Sequence, residues 1–448
     1  MCENSSWQAP VWLTESYLED VLKIYLNDDK VKIQNVDIKP ATANGDNYAS
    51  VMSRIKVKFF GSKQIKKMEE VTFIMKYSYE SDPFVAKIMS GYDVYNTEMK
   101  MYEKILPQLA DILQQVGDTE NLFAKTLKVD FDKSAIIFED LAVRNYVLAN
   151  RLEGLDNVHA RMVMKKLAKF HAAAAVLNRK LNGELEKFDH GIFNRHTRAF
   201  GVVFEYLMEI CAKFALKSKE LGIYYHDKLM KLKPYLVDYG TRAYNSNPKH
   251  FYTLCHGDLW VNNMMMLYDS QSQNEKSLKD VLLIDFQLCN WSSPAVDLHY
   301  FLHTSLEPKL QLDVHAIDGL VQCYHTTLAS TSKKLNYNGY IPTLHELQVQ
   351  LLEGKILGKY FEKKTPEQNY VKHTFFIIHL FTALSAATVN QPIMINDQCE
   401  DADFHSLIED DERGRNFRNK LYENKRLQNN LKVLLPYFDQ LGLLDIQK

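Results

Sequence analysis

Asp258 and Asn263 lie five residues apart in CHGDLWVNNMMML (residues 255–267), and Asp285 follows in LLIDFQ (residues 282–287). An acid, an amide five residues on and a second acid delivered by an aliphatic run make up the skeleton of a phosphoryl-transfer site. Such a site needs a carboxylate to take the proton of a substrate hydroxyl, an amide oxygen on one Mg²⁺, and a second carboxylate bridging metal to nucleotide phosphates. Asp258, Asn263 and Asp285 fill these roles in order, which makes Asn263 and Asp285 the metal ligands. A competing reading takes HGD as half of a metal-hydrolase site with His256 as a ligand. The joint spacing of all three residues favours phosphotransfer.

These residues need a scaffold. Residues 264–267 and 281–284 read as strands, so a hairpin holds Asn263 and Asp285 together, and the polar residues 268–280 form its tip. Upstream, residues 31–40, 50–60 and 71–79 read as strands, the second by strict alternation from Val51 to Phe59. Between the first two lies ATANGDNYAS, where a turn at Gly45, Asp46 and Asn47, with the Ser50 hydroxyl, can set backbone N–H groups over phosphates. An ordinary hairpin turn has the same composition. Residues 61–70 read as a charged loop. Lys76 sits late in the third strand, where burial demands a partner and outward exposure does not. Helical periodicity over residues 84–106 offers Glu98, 22 residues on. Glu98 is preferred to Glu103 because Glu103 approaches Pro107, which is expected to end the helix. A hairpin over residues 127–138 then leads into FEDL, and Glu139 to Leu141 form the expected hinge, where backbone groups would meet a nucleotide base.

From residue 155 the pattern is helical. Helices are expected over 158–178, 200–216, 225–244, 298–333, 343–359, 370–389 and 417–434, with a short one over 12–26 and a solvated loop over 401–415. His171 reads as a satisfied core histidine. Asp297, at a helix start, is expected to cap that helix and to hold the catalytic loop through backbone N–H groups.

Composition narrows the function. A chain of 448 residues with 46% hydrophobic content builds a large core, and 54 basic against 56 acidic residues leave a net charge of -2. No global field favours nucleic acid or an anionic membrane. Six cysteines without a CxxC motif suit a reducing compartment, and an N-terminus with no basic start or long apolar run points to the cytoplasm. Residues 374–396 lack Asp, Glu, Lys and Arg, but His379, Asn390, Gln391 and Pro392 interrupt them. They read as a buried helix ending near Asn390. The expected partner is a small molecule, with no nucleic acid and no membrane; oligomeric state has no signal in the sequence.

HGDLWVNN and IDFQ, joined to GDNYAS, Lys76, Glu98, FEDL and LAKFHA, closely resemble the insect ecdysteroid kinase-like family, within the wider group of aminoglycoside phosphotransferases and choline kinases. Trp260 and the pair Asn262 and Asn263 resemble that family more than protein kinases. The resemblance extends to about residue 302 and implies an α+β, two-lobed protein kinase-like fold. Residues 1–140 would form a nucleotide-binding lobe with an antiparallel sheet, and residues 141–448 a helical lobe. ATP and Mg²⁺ would occupy the cleft, contacted by Gly45, Asp46, Asn47, Ser50, Lys76, Glu98, Glu139 and Leu141. The implied reaction phosphorylates a hydroxyl of an ecdysteroid or foreign alcohol, with Trp260, Trp291, Tyr300 and Phe301 as candidate walls. The missing APE element after Asp285 favours a small acceptor over a protein. A choline or ethanolamine kinase is the enzymatic alternative, and a catalytically weak nucleotide- or ligand-binding module is the other.

Overall fold

The computed structural model describes residues 9–41, 50–62, 67–78, 82–242, 250–269, 277–352, 380–396 and 403–446. Among these, five strands form an antiparallel sheet in the order β1-β2-β3-β5-β4. They are β1 (Lys32–Pro40), β2 (Val51–Phe60), β3 (Glu69–Tyr77), β4 (Thr126–Asp130) and β5 (Ala135–Glu139). Because side chains alternate along a strand, Ile55, Val57 and Phe59 of β2 and Phe73 and Met75 of β3 share one face. They pack there against Leu18, Val21 and Leu22 of helix α1 (Glu15–Leu26). The opposite parity, Met52 and Arg54 on β2 and Ile74 and Lys76 on β3, lines a cleft.

Two expectations are corrected here. Helix α1 starts at Glu15 and not at residue 12, because the Thr14 hydroxyl accepts the Tyr17 amide at 3.2 Å and sets the first turn. Strand β3 starts at Glu69, since Glu69 and Glu70 pair with Phe59 and Lys58 of β2 and extend the ladder into residues read as loop.

The helix expected over 84–106 is broken into pieces. Helix α2 (Pro83–Gly91) is capped by Asp82; Asp93, at φ 52, turns the chain into α3 (Val94–Lys100). A π-turn (Met101–Ile105) follows, then α4 (Leu106–Gln114). Pro107 does not end the helix. It occupies the first turn of α4, where a missing N–H is tolerated.

The rest of the chain is mostly helical. Helix α5 (Asn157–Lys180), capped by Asp156, packs through its alanine run into the main core. Helix α6 spans Gly201–Lys217. Pro234 splits the expected helix of residues 225–244 into α7 (Gly222–Leu232) and α8 (Leu236–Arg242). The stretch 298–333 divides into α9 (Ala295–Thr304), α10 (Pro308–Gln311) and α11 (Val314–Lys334), the last restarted by the Asp313 cap. Asn424 likewise starts a new helix (Lys425–Gln440) after one over Glu412–Leu421, and Asp403 caps a helix (Phe404–Ile408) inside the expected loop of residues 401–415. Pro234 and the polar caps at Asp313, Asp403 and Asn424 are invisible to apolar periodicity.

The described part of the expected helix 370–389 runs from Leu380–Ser385 through a π-turn (Ala386–Asn390) into Gln391–Met394, past the expected end at Asn390. Residues 381–392 are buried. Among the described residues no helix is long and apolar enough to cross a membrane.

Candidate active site

Strand β6 (Tyr146–Leu148) pairs with β8 (Met264–Tyr268), which pairs with β9 (Leu278–Leu283); β7 (Thr253–Cys255) pairs with β10 (Asn290–Ser292). The loop from β7 to β8 carries His256, Asp258 and Asn263. Its sharp turn needs Gly257, at φ 82, where a Cβ would stand 2.1 Å from the Leu288 carbonyl oxygen. The buried Asp297 of α9 accepts from the backbone N–H of His256 at 2.7 Å and of Gly257 at 2.8 Å. It does not cap its own helix, whose N-cap is Pro294; both its oxygens turn to the loop. His171 bonds Asp297 at 3.0 Å through Nε2 and the Tyr324 hydroxyl at 2.7 Å through Nδ1. Burial pushes the Asp297 carboxyl up, but the bond and charge of His171 outweigh it and hold the group below the usual range. Gly257→Ala is expected to lower stability by about 1–3 kcal/mol in urea unfolding and to cut turnover with it.

His256 is not free to ligate a metal. Its Nε2 donates to the Ile284 carbonyl at 2.9 Å, its Nδ1 faces the Asp258 N–H at 3.4 Å, and burial lowers its pKa against the pull of Asp297. The ring ties the loop to the strand that delivers Asp285.

Asp285 follows β9 in the left-handed region, at φ 67. The Ile284 N–H bonds the Asn263 carbonyl at 3.0 Å, and the Phe286 ring is buried against Tyr102, Phe123, Phe170 and His256. Lys76 reaches Asp285 Oδ1 at 2.6 Å and Glu98 Oε2 at 2.7 Å. Glu98 is 2% and Lys76 6% exposed, whereas Glu103 is exposed. Burial opposes the Lys76 charge, but Asp285 and Glu98 more than compensate and raise its pKa. Burial drives Glu98 up to about 7, with Lys76 opposing and Asp285 adding to the rise.

Asp258 is held by both oxygens. The Tyr300 hydroxyl donates to Oδ1 at 2.7 Å, and Asn263 Nδ2 donates to Oδ2 at 3.0 Å and to the Asp258 carbonyl at 2.8 Å. Burial and the charge of Asp285 raise its pKa to about 6, against the bonds from Tyr300 and Asn263. A base must be ionised to accept a proton, so kcat/KM is expected to fall about tenfold per pH unit below pH 6, in a pH–rate profile at saturating Mg²⁺-ATP.

These groups border a cleft of about 540 Å³. Glu139 and Leu141 line it, and the Glu139 carboxylate is taken by the Lys125 N–H at 3.0 Å and Arg144 at 3.0 Å. The Glu139 N–H itself donates to the Lys125 carbonyl at 3.0 Å. Ser50 is buried and is not among the lining residues; Gly45, Asp46 and Asn47 lie outside the described residues. Trp260 lines the cleft and packs with Tyr300, Ala386 and Met394, while Phe301 and Trp291 belong to the main core.

Among the lining residues not assigned to the site from sequence, Arg54 and Gln287 carry polar groups beside it. Arg54 pairs with Asp140 at 2.9 Å beside the expected hinge. Gln287, two residues after Asp285, donates to Asp285 Oδ2 at 3.4 Å, and its buried Oε1 has no hydrogen-bond partner among the described residues. With Asn263 bonded through its amide nitrogen, the amide oxygens of Asn263 and Gln287 and the carboxylate of Asp285 make an all-oxygen donor set that fits Mg²⁺. The IDFQ run held the signal for Gln287.

Two other clusters do not compete as metal sites. His171, Cys255 and Asp297 are already bonded within the core. Beside Asp189, the His190 and His196 rings stack 4.0 Å apart at 6°, and the carboxylate is already taken by His190 Nδ1 at 3.0 Å, His196 Nε2 at 2.8 Å and Arg195 at 2.6 Å.

The family model described as the ecdysteroid kinase-like family matches residues 44–337, well over half of the chain. The chain belongs to that family, a small-molecule kinase-like family. No curated protein matches it. Among solved structures it is similar to an ethanolamine kinase of Plasmodium vivax, at 12% identity and TM-score 0.39, covering 95% of this chain and 90% of that one. It is also similar to a choline kinase of Cryptosporidium parvum (12%, 0.37, 90% of each chain) and a macrolide 2'-phosphotransferase of Brachybacterium faecium (11%, 0.33, 72% and 88%). These scores are too low to bear on substrate.

Proposed function

We propose that the chain is an ATP- and Mg²⁺-dependent kinase of small-molecule alcohols, acting in the cytoplasm, with a steroid-like (ecdysteroid) or foreign apolar alcohol as acceptor. The observation that carries this reading is the buried Lys76, held between Glu98 and Asp285, in one cleft with Asp258 and Asn263. A buried ammonium between two carboxylates is a costly arrangement that a phosphate-binding site gives a reason for.

In this reading Asp258 orients the acceptor hydroxyl and receives its proton. The acceptor oxygen forms a bond to the γ-phosphorus as the bond from that phosphorus to the bridging oxygen of ADP breaks, and the electron pair leaves with ADP. Lys76 donates to phosphate oxygens, and backbone at Glu139 to Leu141 meets the base. When bound, Mg²⁺ on Asn263, Asp285 and Gln287 neutralises phosphate charge. Most of the rate then comes from positioning and fixed charge.

The apolar acceptor is supported by Trp260, which borders the cleft and packs against Tyr300, Ala386 and Met394 close to Asp258. The test is mass spectrometry of a mixed alcohol library, containing ecdysteroids, apolar xenobiotic alcohols, choline and ethanolamine, after incubation with Mg²⁺-ATP. A phosphate added to an apolar alcohol is expected. Phosphorylation of choline or ethanolamine alone overturns the acceptor class, and ATP binding without transfer to any member favours a binding module.

A further inference from the structure

We propose that Tyr300 is a positioning residue for the catalytic carboxylate: its hydroxyl fixes Asp258 Oδ1, leaving Oδ2, shared with Asn263, to meet the acceptor. The proposal rests on the phosphotransfer reading of Asp258. It assigns a second task to α9, the helix that already grips the loop backbone.

Asp297 and Tyr300 are three residues apart on α9 and so lie on one face of the helix. Asp297 holds the backbone at His256 and Gly257, while Tyr300 holds the side chain of Asp258 at 2.7 Å. One rigid element therefore sets both the loop's course and the direction of its carboxylate. The hydroxyl is steadied in turn. Asn390 Nδ2 lies 3.4 Å from it, on a buried residue that closes the π-turn Ala386–Asn390. A π-turn widens the helix by one residue and recurs where a helix must present a group at a functional site. Ala386, from the same turn, and Met394 pack on the Tyr300 ring, leaving it 3% exposed.

The chemistry is directional. A phenol donating to one carboxylate oxygen ties that oxygen down and locks the rotamer of the side chain, so the other oxygen keeps a fixed direction. A tyrosine serving only to fill the core would leave the Asp258 carboxylate in place when its hydroxyl is removed.

The experiment is a carbon-13 spectrum of the full chain labelled at aspartate carboxyls, recorded at a single pH of about 8, where a carboxylate is ionised with or without its phenol partner, with the Asp258 signal assigned by its loss in Asp258→Asn. In Tyr300→Phe the Asp258 signal is expected to shift and broaden as the freed carboxylate samples more than one rotamer, while the signal of Asp297 stays in place. Turnover should fall about tenfold, with KM for Mg²⁺-ATP within about twofold. An unchanged Asp258 signal in folded Tyr300→Phe overturns the proposal. Asn390→Ala keeps the ring and hydroxyl and is expected to give a smaller change in the same direction. It carries the test if Tyr300→Phe does not fold, and no change there then overturns the proposal. The spectrum needs no acceptor, so a chain that phosphorylates no alcohol defeats the kinase reading without deciding the role of Tyr300, and the two failures stay separate.

Discussion

Asp258→Asn is expected to lower kcat for phosphoryl transfer by about a thousandfold or more, with Mg²⁺-ATP affinity within about threefold of the parent. The amide keeps the shape of the carboxylate, so the loop retains its Gly257 turn and its Asp297 bonds. What it loses is a site for the acceptor's proton. Nucleotide binding should survive because Lys76, Glu98 and Asp285 form their own buried network, joined to Asp258 through the field of Asp285 and not by a shared bond. Single-turnover transfer from labelled ATP, paired with calorimetric nucleotide binding, separates the two effects. Parental turnover in the variant would remove Asp258 from the base role. A parallel collapse of ATP affinity would make it a structural residue.

Much of this arrangement is legible in the sequence because it rests on short-range chemistry. An ammonium in an otherwise apolar strand has to be paired or exposed, and β3 alternates so that Lys76 shares the cleft face with Ile74 while Phe73 and Met75 face α1. Glu98 was preferred to Glu103 on a premise the structure overturns. Pro107 ends nothing, and the real discriminator is that Glu98 points inward from α3 while Glu103 faces solvent on the following π-turn.

Tyr300 and Arg54 stayed hidden because their partners are distant in the chain, whereas Gln287 sat within the motif itself. Tyr300 meets Asp258 across 42 residues and Asn390 across 90, and Arg54 meets Asp140 across 86. No local pattern encodes such pairings. Trp291, Tyr300 and Phe301 looked equivalent as aromatic candidates near the motifs. Only packing separates Phe301 and Trp291 in the core from Tyr300, whose hydroxyl reaches the site. Helix breaks at Pro234, Asp313 and Asn424 were missed because apolar periodicity continues through them, while the cap or the missing donor decides where a helix stops.

Lys76→Met is expected to have the largest effect on stability. Methionine preserves most of the buried stem and removes the charge, so Glu98 and Asp285 are left facing one another without the ammonium between them. Breaking a buried pair by removing one partner costs about 3–5 kcal/mol, and the loss here depends on pH. Glu98 already titrates up at about 7 in the folded protein, against a usual 4.5, first because it is buried and further because Asp285 is near; Lys76 restrains the rise. Without Lys76 it climbs higher. For an acid whose folded pKa is raised, the favourable contribution is complete below the unfolded value and is lost as pH rises through the folded one. Urea unfolding of Lys76→Met is therefore expected to resemble the parent most closely near pH 5 and to fall away by pH 8. Lys76 itself, with a raised pKa, contributes evenly across that window in the parent. Adding Glu98→Gln removes the titrating acid and should restore most of the stability lost at pH 8, while transfer stays low because no ammonium faces the phosphates. Equal losses at pH 5 and pH 8, unaffected by Glu98→Gln, would mean that Lys76 acts through packing alone.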